Sequence, residues 1–176
     1  MQQKRPFAMK PRRSSLGFTF VELLQVAGII GTLFAIAIPA YDDYLKRARG
    51  AEALVLLGDA RVMVNDFYAR WGYLPADNAQ AGFLPPDQIK GTYVRRLEIR
   101  NGALHAQVDL GLDADRKPML RTISLRPLVN TAQPSAPLLW FCGGGDPTSK
   151  FPDFAVRGEL PQDAIEKKFL PGSCRA

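Results

Sequence analysis

The strongest constraint on this chain is an apolar run near its start. Residues 18–40, FTFVELLQVAGIIGTLFAIAIPA, carry one charged side chain, Glu22, in 23 positions. As a helix the run rises about 35 Å at 1.5 Å per residue, enough to cross a bilayer. Lys4, Arg5, Lys10, Arg12 and Arg13 precede it with no acid among them. On the far side, Asp42, Asp43 and Glu52 offset Lys46, Arg47 and Arg49. That asymmetry keeps the N-terminus cytoplasmic and sends the remainder outward.

The charge balance follows from the same segment. The chain has a formal net charge of +6 from 23 Lys+Arg against 17 Asp+Glu. The five basic residues before the run account for all but one of those charges, so the rest of the chain is close to neutral. A basic chain ordinarily points to nucleic acid or an anionic membrane, but here the basicity sets topology. With 47% hydrophobic and 23% charged residues, the chain is neither disordered nor collagen-like. Its two cysteines allow one disulfide and exclude a four-cysteine zinc site.

A secretory signal peptide also has a basic start and an apolar core. This run exceeds a typical signal core, and no A-x-A site with a polar mature start closes it. A plain single-pass anchor leaves Glu22 unexplained, because a carboxylate inside an apolar span costs several kcal/mol and calls for a partner.

Gly17-Phe18-Thr19-Phe20-Val21-Glu22 after a basic leader resembles the processing site of type IV pilins. The match extends through Ile36-Ala37-Ile38-Pro39-Ala40-Tyr41 and Asp43-Tyr44, close to pilins of the type IVa kind. The resemblance implies that a membrane prepilin peptidase cuts after Gly17 and methylates the new N-terminal residue, Phe18. Gly17 has no side chain to obstruct the peptidase. The new α-amine at Phe18 is expected to neutralise Glu22 of a neighbouring subunit during assembly, which makes Glu22 a register device. Gly31 and Pro39 mark where the helix is weakest, since Pro39 gives no N–H to the carbonyl of Ala35. In related filaments this interval is stretched on assembly; a bend without melting is the alternative.

Beyond residue 40, apolar or small residues recur at helical spacing: Tyr41, Tyr44, Ala48, Ala51, Val55, Gly58 and Val62. Leu54, Leu57 and Val64 widen that face, which the remaining chain is expected to cover. The helix is expected to end near Arg70, before Gly72 and Leu74-Pro75. Residues 71–92 read as a loop. Strands are expected at 93–100, 103–110, 119–126 and 138–142, with Asn101-Gly102 as a hairpin turn and 127–137 as a Pro-rich connection. The fold class is therefore α+β: a long N-terminal helix packed on a four-stranded antiparallel sheet. The expected divisions are a cleaved leader at 1–17, an apolar half-helix at 18–40, an amphipathic half at 41–70 and a sheet domain at 71–176.

Cys142 and Cys174 pair only with each other, and export to an oxidising compartment favours the bridge. Closing loop 142–174 is worth about 3–4 kcal/mol in the chain-entropy model. Trp140-Phe141-Cys142 and Leu170-Pro171-Gly172-Ser173-Cys174 also resemble the two ends of the disulfide loop in type IVa major pilins.

Other candidates are weaker. His105, the sole histidine, falls on the polar phase of its strand and is expected to be solvated, with no partners for a triad or zinc site. Asp109, Asp113 and Asp115 lack the glycine and terminal glutamate of a calcium loop, which favours a turn. Arg96 and Arg100 share a face and form a candidate DNA contact, interrupted by Glu98, with Arg95 on the opposite face. No enzymatic motif, metal site or cofactor site is expected. The implied partners are other copies of the chain, the prepilin peptidase, an inner-membrane assembly platform and minor pilins, with DNA as an alternative. The expected location is the inner membrane before assembly, then an extracellular filament. A pilus subunit is the leading function; a minor or DNA-capturing competence pilin and a secretion-system pseudopilin are the alternatives.

Overall fold

The computed structural model describes residues 17–113, 115–145 and 147–174. The basic leader before Gly17 therefore lies outside the described residues. The chain divides into two units between Pro39 and Ala40.

Helix α1 spans Phe20–Trp71, one residue past its expected end. Gly72 terminates it with φ +74°, a left-handed conformation that glycine adopts without a Cβ clash. Its N–H still donates to the carbonyl of Tyr68 at 2.8 Å. In the first unit the helix persists through both Gly31 and Pro39.

The second unit adds five strands: β1 Val94–Arg100, β2 Ala103–Leu112, β3 Pro118–Asn130, β4 Leu139–Cys142 and β5 Phe154–Val156. The first four form an antiparallel meander in the order β1-β2-β3-β4, as expected, and β5 pairs with β3. Asn101 and Gly102 make the β1–β2 turn with φ of 48° and 80°, setting Arg100 opposite Ala103. Asp113 accepts from the backbone N–H of Asp115 and Lys117, so the aspartates near the β2–β3 junction build a turn.

Two expectations about strands need correction. The 127–137 segment is not wholly a connection, because β3 continues through Pro127 to Asn130. Pro127 is tolerated because its missing N–H falls in a gap: β2 pairing ends at Leu125 and β5 pairing starts at Leu128. The short β5 was not foreseen; three residues give too little alternation to read.

The core lies between the second half of α1 and one face of the sheet. Ala53, Leu57, Ala60 and Val64 from α1 meet Leu97, Ile99, Leu104, Ala106, Val108, Leu110 and Ile123, all buried. At Gly50 the helix comes so close to Ile123 and Pro171 that an added Cβ would lie 3.2 Å from the Ile123 side chain. The free edge of β1 is also engaged. Asn78, 3% exposed, donates to the carbonyls of Leu84 and Leu97 and accepts from the N–H of Ile99. Its side-chain amide thus stands where a neighbouring strand's peptide group would stand.

The opposite face of the sheet is crossed by a strap. After β5 the chain passes Gly158 against Ala103 and reaches Ala164, which bridges Thr122 in parallel. This strap corrects the expectation for His105. His105 does point away from the helix, but it is 6% exposed and its Nδ1 lies 2.8 Å from Ser124 Oγ. Alternation correctly assigns the face; it carries no information on a distant segment that covers that face.

Candidate assembly surface

Gly17, Phe18 and Thr19 precede the first turn of α1. Thr19 and Glu22 form a reciprocal cap. The Thr19 N–H and hydroxyl donate to Glu22 Oε2 at 2.9 and 2.6 Å, and the Glu22 N–H donates to Thr19 Oγ1 at 3.3 Å. The sequence reading treated Glu22 as a lone carboxylate and missed Thr19. The T-x-x-E spacing at a helix start was the available signal. Every residue from Gly17 to Pro39 is exposed among the described residues. Gly31 and Pro39 both sit inside the helical stretch.

The second half of α1 carries two stripes. The buried one consists of Lys46, Gly50, Ala53, Leu57, Ala60, Val64 and Tyr68. The one singled out in the sequence, Tyr41, Tyr44, Ala48, Ala51, Val55, Gly58 and Val62, lies on roughly the opposite side at 3.6 residues per turn. It is not covered by the sheet: Tyr44, Val55 and Val62 are 64%, 69% and 61% exposed. The expectation that the rest of the chain covers this stripe is therefore wrong. Both stripes repeat every three to four residues, so periodicity alone could not say which one the sheet takes. Leu57 and Val64, from the set expected to widen the face, belong to the buried stripe.

Charge flanks the uncovered stripe on both sides. Asp59 projects along one flank, and Arg47 and Arg61, with Asp43 among them, along the other, given the helical repeat.

The C-terminal segment is fastened beneath α1. Cys142 and Cys174 are bonded, with Cα atoms 5.1 Å apart. Lys46, buried on the sheet side, pairs with Asp42 at 2.7 Å and lies 5.2 Å from the centre of the Phe169 ring. The Arg47 guanidinium donates to the Lys168 carbonyl at 3.1 Å. At the other end of the loop Arg126 donates to the carbonyls of Gly143 and Gly145 and faces the Phe141 ring. Trp140 donates its indole N–H to Asn65 Oδ1 at 3.0 Å, joining β4 to α1. Neither Lys46 nor Arg126 was identified from sequence, since the burial of each depends on a segment distant in the chain.

Arg96 and Arg100 do share a face, and both bind Glu98, at 3.0 and 2.7 Å. Burial pushes the Glu98 carboxyl up, but the two guanidiniums outweigh it and hold the group below its usual range. Arg95 instead pairs with Asp109 at 2.6 Å. His105 lies beside this cluster; burial, reinforced by the Arg100 charge, lowers its pKa to about 4. Among the described residues no group of His, Cys, Asp and Glu is arranged to hold a metal ion.

Chemically, these features amount to an uncovered apolar helix attached to a covalently closed outer domain. Known proteins match both parts. A family model described as pilin, a bacterial filament protein, matches residues 46–175. The type IV major pilin protein PilE1 of Neisseria gonorrhoeae is 34% identical over 161 residues, covering 90% of this chain and 93% of its own length. A fimbrial protein of Neisseria meningitidis serogroup B is 32% identical, with 90% and 93% covered. Fimbrial protein EcpC of Eikenella corrodens is 31% identical, with 90% of each chain covered.

Proposed function

We propose an assembly route for this chain, which belongs to the pilin family and is a structural subunit of a type IV pilus, an extracellular filament. The chain is made as a precursor whose leader, 1–17, is removed by a prepilin peptidase after Gly17, with methylation of Phe18. The apolar half-helix holds the subunit in the inner membrane until the assembly platform extracts it. In the filament, the Phe18 amine of one copy neutralises Glu22 of the next, and the helix loosens between Gly31 and Pro39. The role is mechanical and not enzymatic. The high coverage of the Neisseria major pilins supports a major subunit.

One observation carries the reading: α1 has an apolar stripe, Tyr41 to Val62, that the described residues of its own domain leave largely exposed. Packing against copies of itself removes this stripe from water. Neighbouring copies also bring the Asp59 flank of one helix toward the Arg47 and Arg61 flank of another. The test is Glu22→Ala. Processing at Gly17 should persist while sheared filaments disappear; normal filament yield would remove the assembly role of Glu22.

The DNA-capture reading is less supported, because Glu98 already engages both Arg96 and Arg100. It predicts salt-dependent DNA retention that is lost when both arginines are reversed in charge. The composition of sheared filaments separates a major subunit from a minor pilin, which would be a trace component.

A further inference from the structure

The strap at 157–164 is lightly attached to the sheet that it crosses. None of its residues is buried. At one end the Arg157 N–H donates to the Pro127 carbonyl at 2.9 Å. At the other, the Thr122 N–H donates to the Asp163 carbonyl and the Ile165 N–H to the Thr122 carbonyl, both at 2.9 Å. The Thr122 hydroxyl adds a bond to Asp163 Oδ2 at 2.7 Å. From Gly158 to Gln162 the described residues show no backbone hydrogen bond to the sheet. Two small cavities of about 80 and 110 Å³ open here, and Arg100, His105 and Pro161 line both. A segment with so few buried contacts opens at a lower free energy than the core beneath it.

What the strap covers is a titratable ring. His105 is 6% exposed. Its Nδ1 is paired with Ser124 Oγ, and among the described residues the other ring nitrogen has no hydrogen-bond partner. The charged groups around the ring are Arg96, Glu98 and Arg100 of β1, Arg126 of β3, and Glu159 and Asp163 of the strap. Three are positive and three negative, so an imidazolium formed here gains little net attraction while bearing the cost of burial.

Lifting the strap removes that cost. Water then reaches the second nitrogen, and the carboxylates of Glu159 and Asp163 leave with the strap. Leu97, Leu104 and Ile123 pack on the other face against α1, so the core does not depend on the strap being closed.

We propose that segment 157–164 is an acid-released latch: when His105 takes up a proton, the strap detaches from the outer face of the sheet while the helix–sheet core stays folded. The device needs only the second unit of one chain, so it stands apart from the assembly route above.

The test is amide exchange of the full chain in detergent micelles, expressed as protection relative to the intrinsic exchange rate at each pH. The open strap lets His105 titrate near pH 6.5, and the closed strap only near pH 4. Protection of the Thr122 and Ile165 amides should therefore fall about twentyfold between pH 7 and pH 5, a range above the ordinary carboxylate values. At both pH values these amides should be less protected than those bonded within the β1–β2 ladder, which open only with the core. His105→Gln should hold their protection constant across the range. Thr122→Val removes the hydroxyl bond to Asp163 and should lower protection at both pH values while keeping the twentyfold ratio. Equal protection in the strap bridge and the β1–β2 ladder would overturn the proposal, since the strap would then come away only on unfolding. So would the parent's ratio persisting in His105→Gln, or a ratio near one in the parent or in Thr122→Val.

Discussion

Glu22 Oε2 accepts two hydrogen bonds from one residue, the N–H and the hydroxyl of Thr19. A carboxylate that is costly in an apolar helix is thus satisfied by the cap of that same helix. Thr19→Ala removes the hydroxyl and costs about 1 kcal/mol at the first turn. Amide exchange at Glu22 and Leu23 in detergent should quicken about fivefold, with Thr19→Ser close to the parent. Unchanged exchange in Thr19→Ala would mean that the cap contributes nothing to the first turn.

The two stripes of α1 should respond differently to mutation. Val55→Glu changes an exposed position and should leave thermal unfolding of the outer domain within about 0.5 kcal/mol of the parent. It should nevertheless stop filament formation, because it places a charge in the proposed helix packing. Leu57→Ala removes a fully buried side chain and should cost about 2–5 kcal/mol. Filaments that tolerate Val55→Glu would exclude this stripe from the assembly.

The buried His105 makes stability depend on acidity. In the unfolded chain it binds a proton near pH 6.5, and in the folded chain only near pH 4. Between those values the unfolded state holds more protons, so stability falls as pH drops from about 6.5 to 4. The His105 part of the loss should reach about 3 kcal/mol, and His105→Gln should remove it, leaving the fall toward pH 4 that carboxylates held below their usual range, such as Glu98, contribute. Denaturant midpoints measured across that range would reveal it; parallel profiles for both proteins would show that another group is responsible.

Reduction of the Cys142–Cys174 bond should lower unfolding stability by about 3–4 kcal/mol, as expected for a sequence separation of 32. The double variant Cys142→Ser, Cys174→Ser should match the reduced parent in thermal unfolding. The fastenings of the segment at Lys46, Arg47 and Arg126 are separate from the bond and should keep a near-native near-UV spectrum below the midpoint.

Asn78→Ala removes three hydrogen bonds from a buried position and leaves the Ile99 N–H and Leu97 carbonyl without that partner. A loss of about 2–4 kcal/mol is expected in chemical denaturation. A loss below 1 kcal/mol would mean that water replaces the amide.

Local chemistry made much of this fold legible. The Asn101-Gly102 turn and the alternation in Leu104, Ala106, Val108 and Leu110 report on backbone and pleat, and both appear in the structure as read. The apolar run and the two cysteines were equally direct. What was not legible depended on residues far apart in the chain. His105 is buried by a strap some 55 positions later, and Pro127 sits in a strand because two other strands leave a gap beside it. On α1 the pattern was visible but ambiguous, since two apolar stripes compete for one sheet. The sheet took the stripe containing Gly50, where a missing side chain permits close approach.

Asn78 on the rim of β1 has a wider consequence. Subunits meant to polymerise are held at high local concentration, where any open strand edge invites a second, unwanted kind of fibre. By lending its amide to Leu97 and Ile99, Asn78 closes the central part of that edge to strand addition. The domain thereby discourages amyloid-like stacking while its helix stays available.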